Sequence, residues 1–529
     1  MRTFRGAWST SGLVAGFAGL ATSYFVAMAM TIRDSPVVAV AELVIRLTPG
    51  PVAEKAISIL GHRDKQVLVL IILLLVSLLF AWAGRLAARA WWAPLLVFVP
   101  LSVLGGVAAS MQHGASALDV LPVVVGFVTW LISLSLLTEP LHRARAATST
   151  TTPATTASAP AAASGPATEP TAPGRTRRSF LIRGGAIAAA SVALGMAGRA
   201  VGRGRRHVEE TRRLLKLSGV TAPVVPPGAR LPLDDMSPWM TPADDFYKIN
   251  TAIVVPAIEP VDWQLRIHGM VDREVVLTYQ DLVDRQLTEG WVTLNCVSNP
   301  VGGPLIGNAW WSGVRLADLL REAGVHPEAD AILQTSDDGW TCGTPLSALA
   351  DNRNAMLALA MNGEPLPIDH GFPVRTLVPG LYGYVSACKW VVDIEVTQFS
   401  QFSAYWTERG WGERGPVKLS SRIDVPSSGG ELSAGSARIG GVAWAQHIGI
   451  EAVEVALDGG DWQPAEIAHP PTDDTWVQWV ATVDVAEGDH VVRVRATDKN
   501  GLVQTGVERE VLPDGATGWH SVDFTATAS

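Results

Sequence analysis

Four apolar runs mark the first third of the chain, at about 11–32, 66–84, 91–111 and 118–138. Each is long enough to cross a bilayer, which takes roughly 20 helical residues. Residues 35–61 are apolar only in patches and carry Glu42, Arg46, Glu54 and Lys55. That pattern predicts an interfacial or extramembrane helical loop. Residues 146–175 are almost wholly Ala, Thr, Ser and Pro, which cannot bury enough apolar surface to offset the entropy of ordering, so a disordered linker is expected. A further, weakly apolar run covers 182–201, directly after Thr176-Arg177-Arg178-Ser179-Phe180-Leu181.

Beyond residue 225 the pattern changes twice. From 225 to 417, strand-like runs such as 263–267 and 331–334 alternate with short helical stretches such as Leu316–Ala323, predicting a mixed α and β domain. From 418 to 529 the texture is short and alternating: Val453, Val455 and Leu457 share one face, and Asp458-Gly459-Gly460 supplies a turn. Val492, Val494 and Ala496 repeat the alternation before Asp498-Lys499-Asn500-Gly501. Strands at this spacing predict an Ig-like β-sandwich. The expected organisation is a transmembrane region over 1–145, the linker, a signal-like fifth span over 176–205, the mixed domain, and the sandwich.

Charge gives the orientation. Arg2 and Arg5 precede the first run, Arg85 and Arg89 separate the second and third, and His142, Arg143 and Arg145 follow the fourth, whereas 112–117 has neither Lys nor Arg. Positive residues stay inside, which places the N-terminus, the 85–90 loop and the region after 139 in the cytoplasm. Paired arginines ahead of a weakly apolar run resemble a twin-arginine export signal; an ordinary fifth span is the alternative. Arg203, Arg205 and Arg206 oppose threading of an unfolded chain, which favours export of folded protein and an extracytoplasmic position for everything that follows. The net charge of -9 arises mostly beyond residue 200, where most of the Trp also lies. An acidic, Trp-rich half lacks the basic face that nucleic acid requires. Three cysteines, Cys296, Cys342 and Cys388, are too few and scattered for a disulfide framework or a zinc site.

The chemistry concentrates in two stretches. One is Leu294-Asn295-Cys296-Val297-Ser298-Asn299, followed by Gly307-Asn308-Ala309-Trp310-Trp311-Ser312-Gly313-Val314. The other runs from Asn362-Gly363-Glu364-Pro365 through Asp369-His370-Gly371-Phe372-Pro373-Val374-Arg375 to Val385-Ser386-Ala387-Cys388-Lys389-Trp390. Together, over about 240–415, they resemble the molybdopterin domain of the sulfite oxidase family, and the sandwich resembles that family's dimerisation domain. The resemblance implies a molybdenum-molybdopterin cofactor with Cys296 as the metal's protein ligand, a role that suits a soft, strongly donating thiolate. Cys342 and Cys388 are expected to be small core residues. Arg375, Lys389 and His370 match the polar contacts at the cofactor's phosphate, and Ser386 lies in a glycine-containing loop beside them. Tyr247, Lys248 and Asn250 match the first cofactor-contacting segment, and Ser336 is a further candidate.

The implied activity is oxygen-atom transfer at molybdenum on a small oxo compound, with electrons exchanged with a separate protein or quinone. No Cys-x-x-Cys-His occurs, and His62, His113 and His142 sit in loops or at ends, so no haem is expected. Several positions depart from the animal enzymes. Pro300, Val301 and Ile249 stand where those carry arginines, and Trp411 falls at their active-site Tyr, with Arg409 close by. A doubly charged oxyanion needs cationic partners in a dry pocket, which leaves sulfite and an S-oxide as alternatives. Two other readings remain: a cofactor-free membrane-anchored scaffold, and a transporter or sensor, which the near absence of intramembrane charge disfavours.

Overall fold

The computed structural model describes residues 2–60, 63–149, 173–202 and 204–528. Most of the expected linker at 146–175 lies outside them. The chain divides into two compact units, Met1–Arg206 with Ala252–Val254, and His207–Thr251 with Val255–Ser529.

The first unit is helical, with helices Arg2–Ala29, Pro36–Leu47, Gly50–Leu60, Asp64–Ala87, Leu95–Ser110, Leu121–Ser149 and Pro173–Val201. Among the described residues four segments are long and apolar enough to cross a membrane: Gly6–Ala29, Asp64–Ala87, Ala117–Ala146 and Arg178–Leu214. The apolar run at 91–111 gives a helix of only 16 residues, Leu95–Ser110, with Pro100 inside it. At 1.5 Å per residue that is roughly 24 Å, short of a hydrocarbon core of about 30 Å. The run is shortened because Trp91–Pro94 form turns ahead of the helix. Helices Arg2–Ala29 and Asp64–Ala87 meet backbone to backbone. A Cβ on Gly12 would lie 2.0 Å from the Phe80 carbonyl oxygen, and one on Gly84 would lie 2.0 Å from that of Trp8. Nearby, Trp130 Nε1 donates to the Gly16 carbonyl at 2.9 Å, and its ring stacks on Phe98.

The second unit contains four sheets. In the first, Val275–Thr278, Gln264–Gly269, Val391–Thr397, Ala331–Ser336 and Thr341–Pro345 lie side by side in that order. Only the pairing of Gln264–Gly269 with Val391–Thr397 is parallel. The second sheet orders Thr288–Asn295, Ile306–Arg315, Met356–Met361 and Glu364–Pro365, with Arg375–Leu377 paired to Met356–Met361. Helix Leu316–Ala323 buries Leu316, Leu319, Leu320 and Ala323, a spacing that puts all four on one face, and Gly324 ends it in the left-handed conformation.

Residues 420–527 form the other two sheets. One orders Ser420–Val425, Gly435–Trp444, Val477–Val485 and Glu466–Ile467; the other orders Gly430–Ser433, His520–Thr527, Gly488–Asp498, Ile450–Leu457 and Gln463–Pro464. They share one core, to which Ile439 and Trp479 contribute from one sheet and Val453, Val455, Val492, Val494 and Phe524 from the other. At the turn after Leu457, Asp458 and Gly459 both take positive φ, as a tight hairpin requires. This β region is tied to the mixed region through segment 225–241. Trp239 Nε1 donates to the Trp476 carbonyl at 3.2 Å, and Trp476 Nε1 donates back to the Trp239 carbonyl at 2.9 Å. Thr293 receives the Trp476 amide at 2.8 Å on its hydroxyl, and Gln478 bonds both Leu231 and Ser237.

Candidate functional site

Strand Thr288–Asn295 is followed directly by Cys296, where the second sheet opens onto a cleft. Cys296, Tyr247, Ile249, Asn250, Ser336, His370, Arg375, Lys389 and Trp411 all line it. Seven of the residues expected to bind cofactor are thus brought together from segments more than a hundred residues apart. Cys342 and Cys388 are fully buried in the core of the first sheet. Desolvation raises the Cys296 thiol above its ordinary range, opposed by hydrogen bonds from the Ser298 amide and hydroxyl.

Arg375 begins a short strand paired to Met356–Met361, and its guanidinium is buried. Its Nη1 donates to the His370 carbonyl at 3.2 Å, Nε to that of Thr376 at 3.4 Å, and Nη2 to that of Ala387 at 3.5 Å; Trp311 lies against it at 5.2 Å. No carboxylate pairs with it among the described residues. Burial lowers its pKa to about 10. His370, with Nε2 at 2.9 Å from the Ala243 carbonyl, is held neutral: burial and the Arg375 charge push its pKa down to about 3. With the carbonyl as acceptor, Nε2 carries the proton. Lys389 reaches the Asp369 carbonyl at 3.3 Å and lies over the Trp390 ring at 4.7 Å. Tyr247 stacks on Phe246, and burial raises its phenol well above the ordinary value.

Other expected residues are placed elsewhere. Lys248 is exposed and does not line the cleft. Ser386 is buried in the short helix Gly383–Ser386, its hydroxyl donating to the Leu381 carbonyl at 3.1 Å. Arg409 is folded over Tyr405, 3.7 Å from the ring centre, and donates to the Tyr405 carbonyl at 2.7 Å. Of the departures, Ile249 and Trp411 face the cleft, whereas Pro300 and Val301 do not.

The sequence reading passed over Trp340, Trp390, Trp406, Tyr384 and Asp338, which also line the cleft. Asp337-Asp338-Gly339 is a hairpin tip, closed by the Ser336 amide on the Trp340 carbonyl at 2.9 Å, and it brings Ser336 and Trp340 to the cleft together. That turn was visible in the sequence. Trp406 and Trp411 face each other edge-on, 6.4 Å apart, within an irregular loop that periodicity does not describe.

These residues fit a molybdopterin. Among the described residues no group of three or more His, Cys, Asp or Glu could hold a metal ion, so a metal at Cys296 would need its other ligands from a non-protein group, as a pterin dithiolene would supply. A buried guanidinium without a carboxylate suits an anion such as a phosphate. Ser336 Oγ and Trp411 Nε1 are buried, without protein partners, and line the same cleft.

Comparison with known proteins matches residues 252–406 to the oxidoreductase molybdopterin binding domain. The chain is 36% identical over 171 residues to the uncharacterized oxidoreductase YuiH of Bacillus subtilis, covering 32% of this chain and 82% of that protein. It is 28% identical over 321 residues to mitochondrial sulfite oxidase of Drosophila melanogaster, covering 50% of this chain and 55% of that one. Against the sulfite oxidase of Arabidopsis thaliana the identity is 28% over 353 residues, 54% of this chain and 88% of the relative. The chain therefore spans little more than half the length of the fly enzyme.

Proposed function

The chain belongs to the sulfite oxidase family of molybdopterin-dependent oxidoreductases, and we propose that it carries out oxygen-atom transfer on a small, neutral or singly charged oxo compound, with Cys296 as the protein ligand of the metal. The observation that carries this reading is one cleft holding both Cys296 and the buried, carboxylate-free Arg375. When bound, the molybdenum cofactor supplies the two-electron redox change and the exchange of the oxygen atom.

The chain's own residues bind and orient. Arg375, Lys389 and neutral His370 hold the phosphate end, with Tyr247, Asn250 and Ser336 as further polar contacts. Cys296 gives its thiolate to the metal. Trp411 Nε1 is a donor for an oxygen of the substrate, and Trp340, Trp406 and Tyr384 keep that part of the cleft poor in water. The substrate preference follows from charge. Arg375 and Lys389 are the cleft's only Lys or Arg side chains among the described residues. Both are taken by the cofactor, so a dianion such as sulfite finds no cation to replace its water.

The remaining parts of the reading concern context. The apolar helices anchor the enzyme as a multi-pass membrane protein. The segment around Arg177 and Arg178 directs folded export, so that the catalytic region faces away from the cytoplasm. Electrons pass to a separate protein or a quinone. The two sheets of 420–527 form an Ig-like sandwich that offers a homodimer surface. The test is metal content and turnover of the full chain. About one molybdenum per chain is expected, with turnover lost in Cys296→Ser and kept in Cys342→Ser; full activity in Cys296→Ser sinks the assignment.

A further inference from the structure

The loop that follows Cys296 is held at both ends. The Cys296 amide donates to the Leu305 carbonyl at 2.9 Å, the Cys296 carbonyl receives the Asn299 amide at 3.1 Å, and the Asn299 side chain receives the Leu305 amide at 2.9 Å. The Gly303 amide closes a tighter turn onto the Pro300 carbonyl at 2.9 Å. A displacement of residues 299–305 is therefore passed directly to both backbone groups of Cys296.

What fixes this loop from outside comes from the C-terminal β region. Arg422, on strand Ser420–Val425, is buried and donates through Nη1 to the Gly303 carbonyl at 2.9 Å. Its other nitrogens are occupied: Nε on Asp424 at 2.7 Å and Nη2 on the Ser237 hydroxyl at 2.9 Å. Asp424 in turn receives the Ser237 amide at 3.1 Å. The guanidinium thus has one orientation, with one arm left for the loop. Beside it, His520 Nδ1 accepts the Ile423 amide at 3.0 Å, and its ring is packed so closely on Gly302 that a Cβ there would come within 2.1 Å of it. Gly302 also takes φ +74, so the contact depends on glycine.

We propose that Arg422, backed by His520, is a positioning residue for Cys296, so that the β region sets the placement of the metal's thiolate as well as whatever it does in assembly. This rests on Cys296 being the metal ligand. A charge-assisted hydrogen bond within a dry network is strong and directional, and its loss lets the Gly303 turn move. Arg422 does not line the cleft and acts only through the loop.

The full chain, prepared with and without cofactor, tests this with Arg422→Met and Gly302→Ala, the second of which displaces the loop without altering the arginine. In the cofactor-free chain, alkylation of Cys296 by iodoacetamide should speed up about tenfold in both variants, the size expected for one lost charge-assisted bond, while Cys342 and Cys388 stay protected. In the loaded chain, the thiolate-to-molybdenum charge-transfer absorption should shift and kcat should fall more than KM rises. Unchanged Cys296 reactivity and absorption in both variants would overturn the proposal. Exposure of all three thiols together would overturn it too, since Arg422 would then merely hold the fold. If the unmodified chain binds no molybdenum, the family assignment of Cys296 fails, while the alkylation rates still decide whether Arg422 positions the loop.

Discussion

Removing the charge of Arg375 separates the cofactor's needs from those of the fold. In the cofactor-free chain this guanidinium is buried, and its three hydrogen bonds, at 3.2–3.5 Å, all go to backbone carbonyls. Burial brings its pKa from 12.5 to about 10. At about 1.4 kcal/mol per unit that is a penalty of roughly 3 kcal/mol against the folded state. The sign is that of a base with a lowered pKa: the penalty is present at neutral pH, where folded and unfolded chains are both charged, and is relieved only as pH rises past about 10. Against it stand the three long bonds and the contact with Trp311, each worth about 0.5–1.5 kcal/mol. The two sides nearly cancel, so Arg375→Met should leave the thermal stability of the cofactor-free chain within a few degrees of the original. Cofactor retention should behave differently. Charge-assisted bonds to a phosphate contribute about 1.5–3 kcal/mol each, so losing a bidentate pair costs at least a hundredfold in affinity at roughly 1.4 kcal/mol per tenfold. The assay is scanning calorimetry of the cofactor-free protein beside molybdenum content of the purified protein. Full metal content in the variant, or collapse of the cofactor-free fold, would refute the assignment of Arg375 to the phosphate.

Steady-state kinetics with sulfite and a soluble acceptor should give poor turnover, and a small S-oxide should do better; a micromolar Michaelis constant for sulfite with rapid turnover would mean that cations reach the cleft from unrecognised positions. His370, with its pKa held near 3, stays neutral while an unfolded histidine takes a proton below about 6.5. Stability of the cofactor-free chain should therefore fall by up to about 1.4 kcal/mol per pH unit between those values, and His370→Gln should remove that part of the slope in acid denaturation. Replacing Arg177 and Arg178 by Lys should leave the catalytic region protease-protected inside spheroplasts; protection of the unmodified protein would reverse the proposed orientation.

What was legible in the sequence depended on how each residue reaches the cleft. Cys296 directly follows a strand, Arg375 starts one, and Ser336 ends another beside an Asp-Asp-Gly turn; regular backbone with a clear terminus puts such residues at a sheet end. Lys248 and Ser386 lie next to residues that do face the cleft, and a neighbour in sequence commonly points the other way. Arg409 was placed near Trp411 by sequence proximity alone, yet local stacking on Tyr405 turns it aside. Trp406 and Trp340 were missed because loop geometry has no period to read. In the helical unit, hydropathy found the long apolar helices but counted 91–111 as a full span. A window average does not register Pro94 and Pro100, which set where a helix starts and how its backbone bonds are satisfied.

The crossed indole bonds between Trp239 and Trp476 have a consequence for folding. By sequence the border near residue 417 looks like a seam between independent modules, one of which could be deleted or exchanged. A cut there would strip both tryptophans of their acceptors and open the packed cluster they share with Trp291, Trp444 and Val442 to water. The 207–529 part should accordingly unfold as one cooperative body in a single melting transition, and its cofactor cleft should be complete only after residues almost two hundred positions downstream of Cys296 have been synthesised and folded.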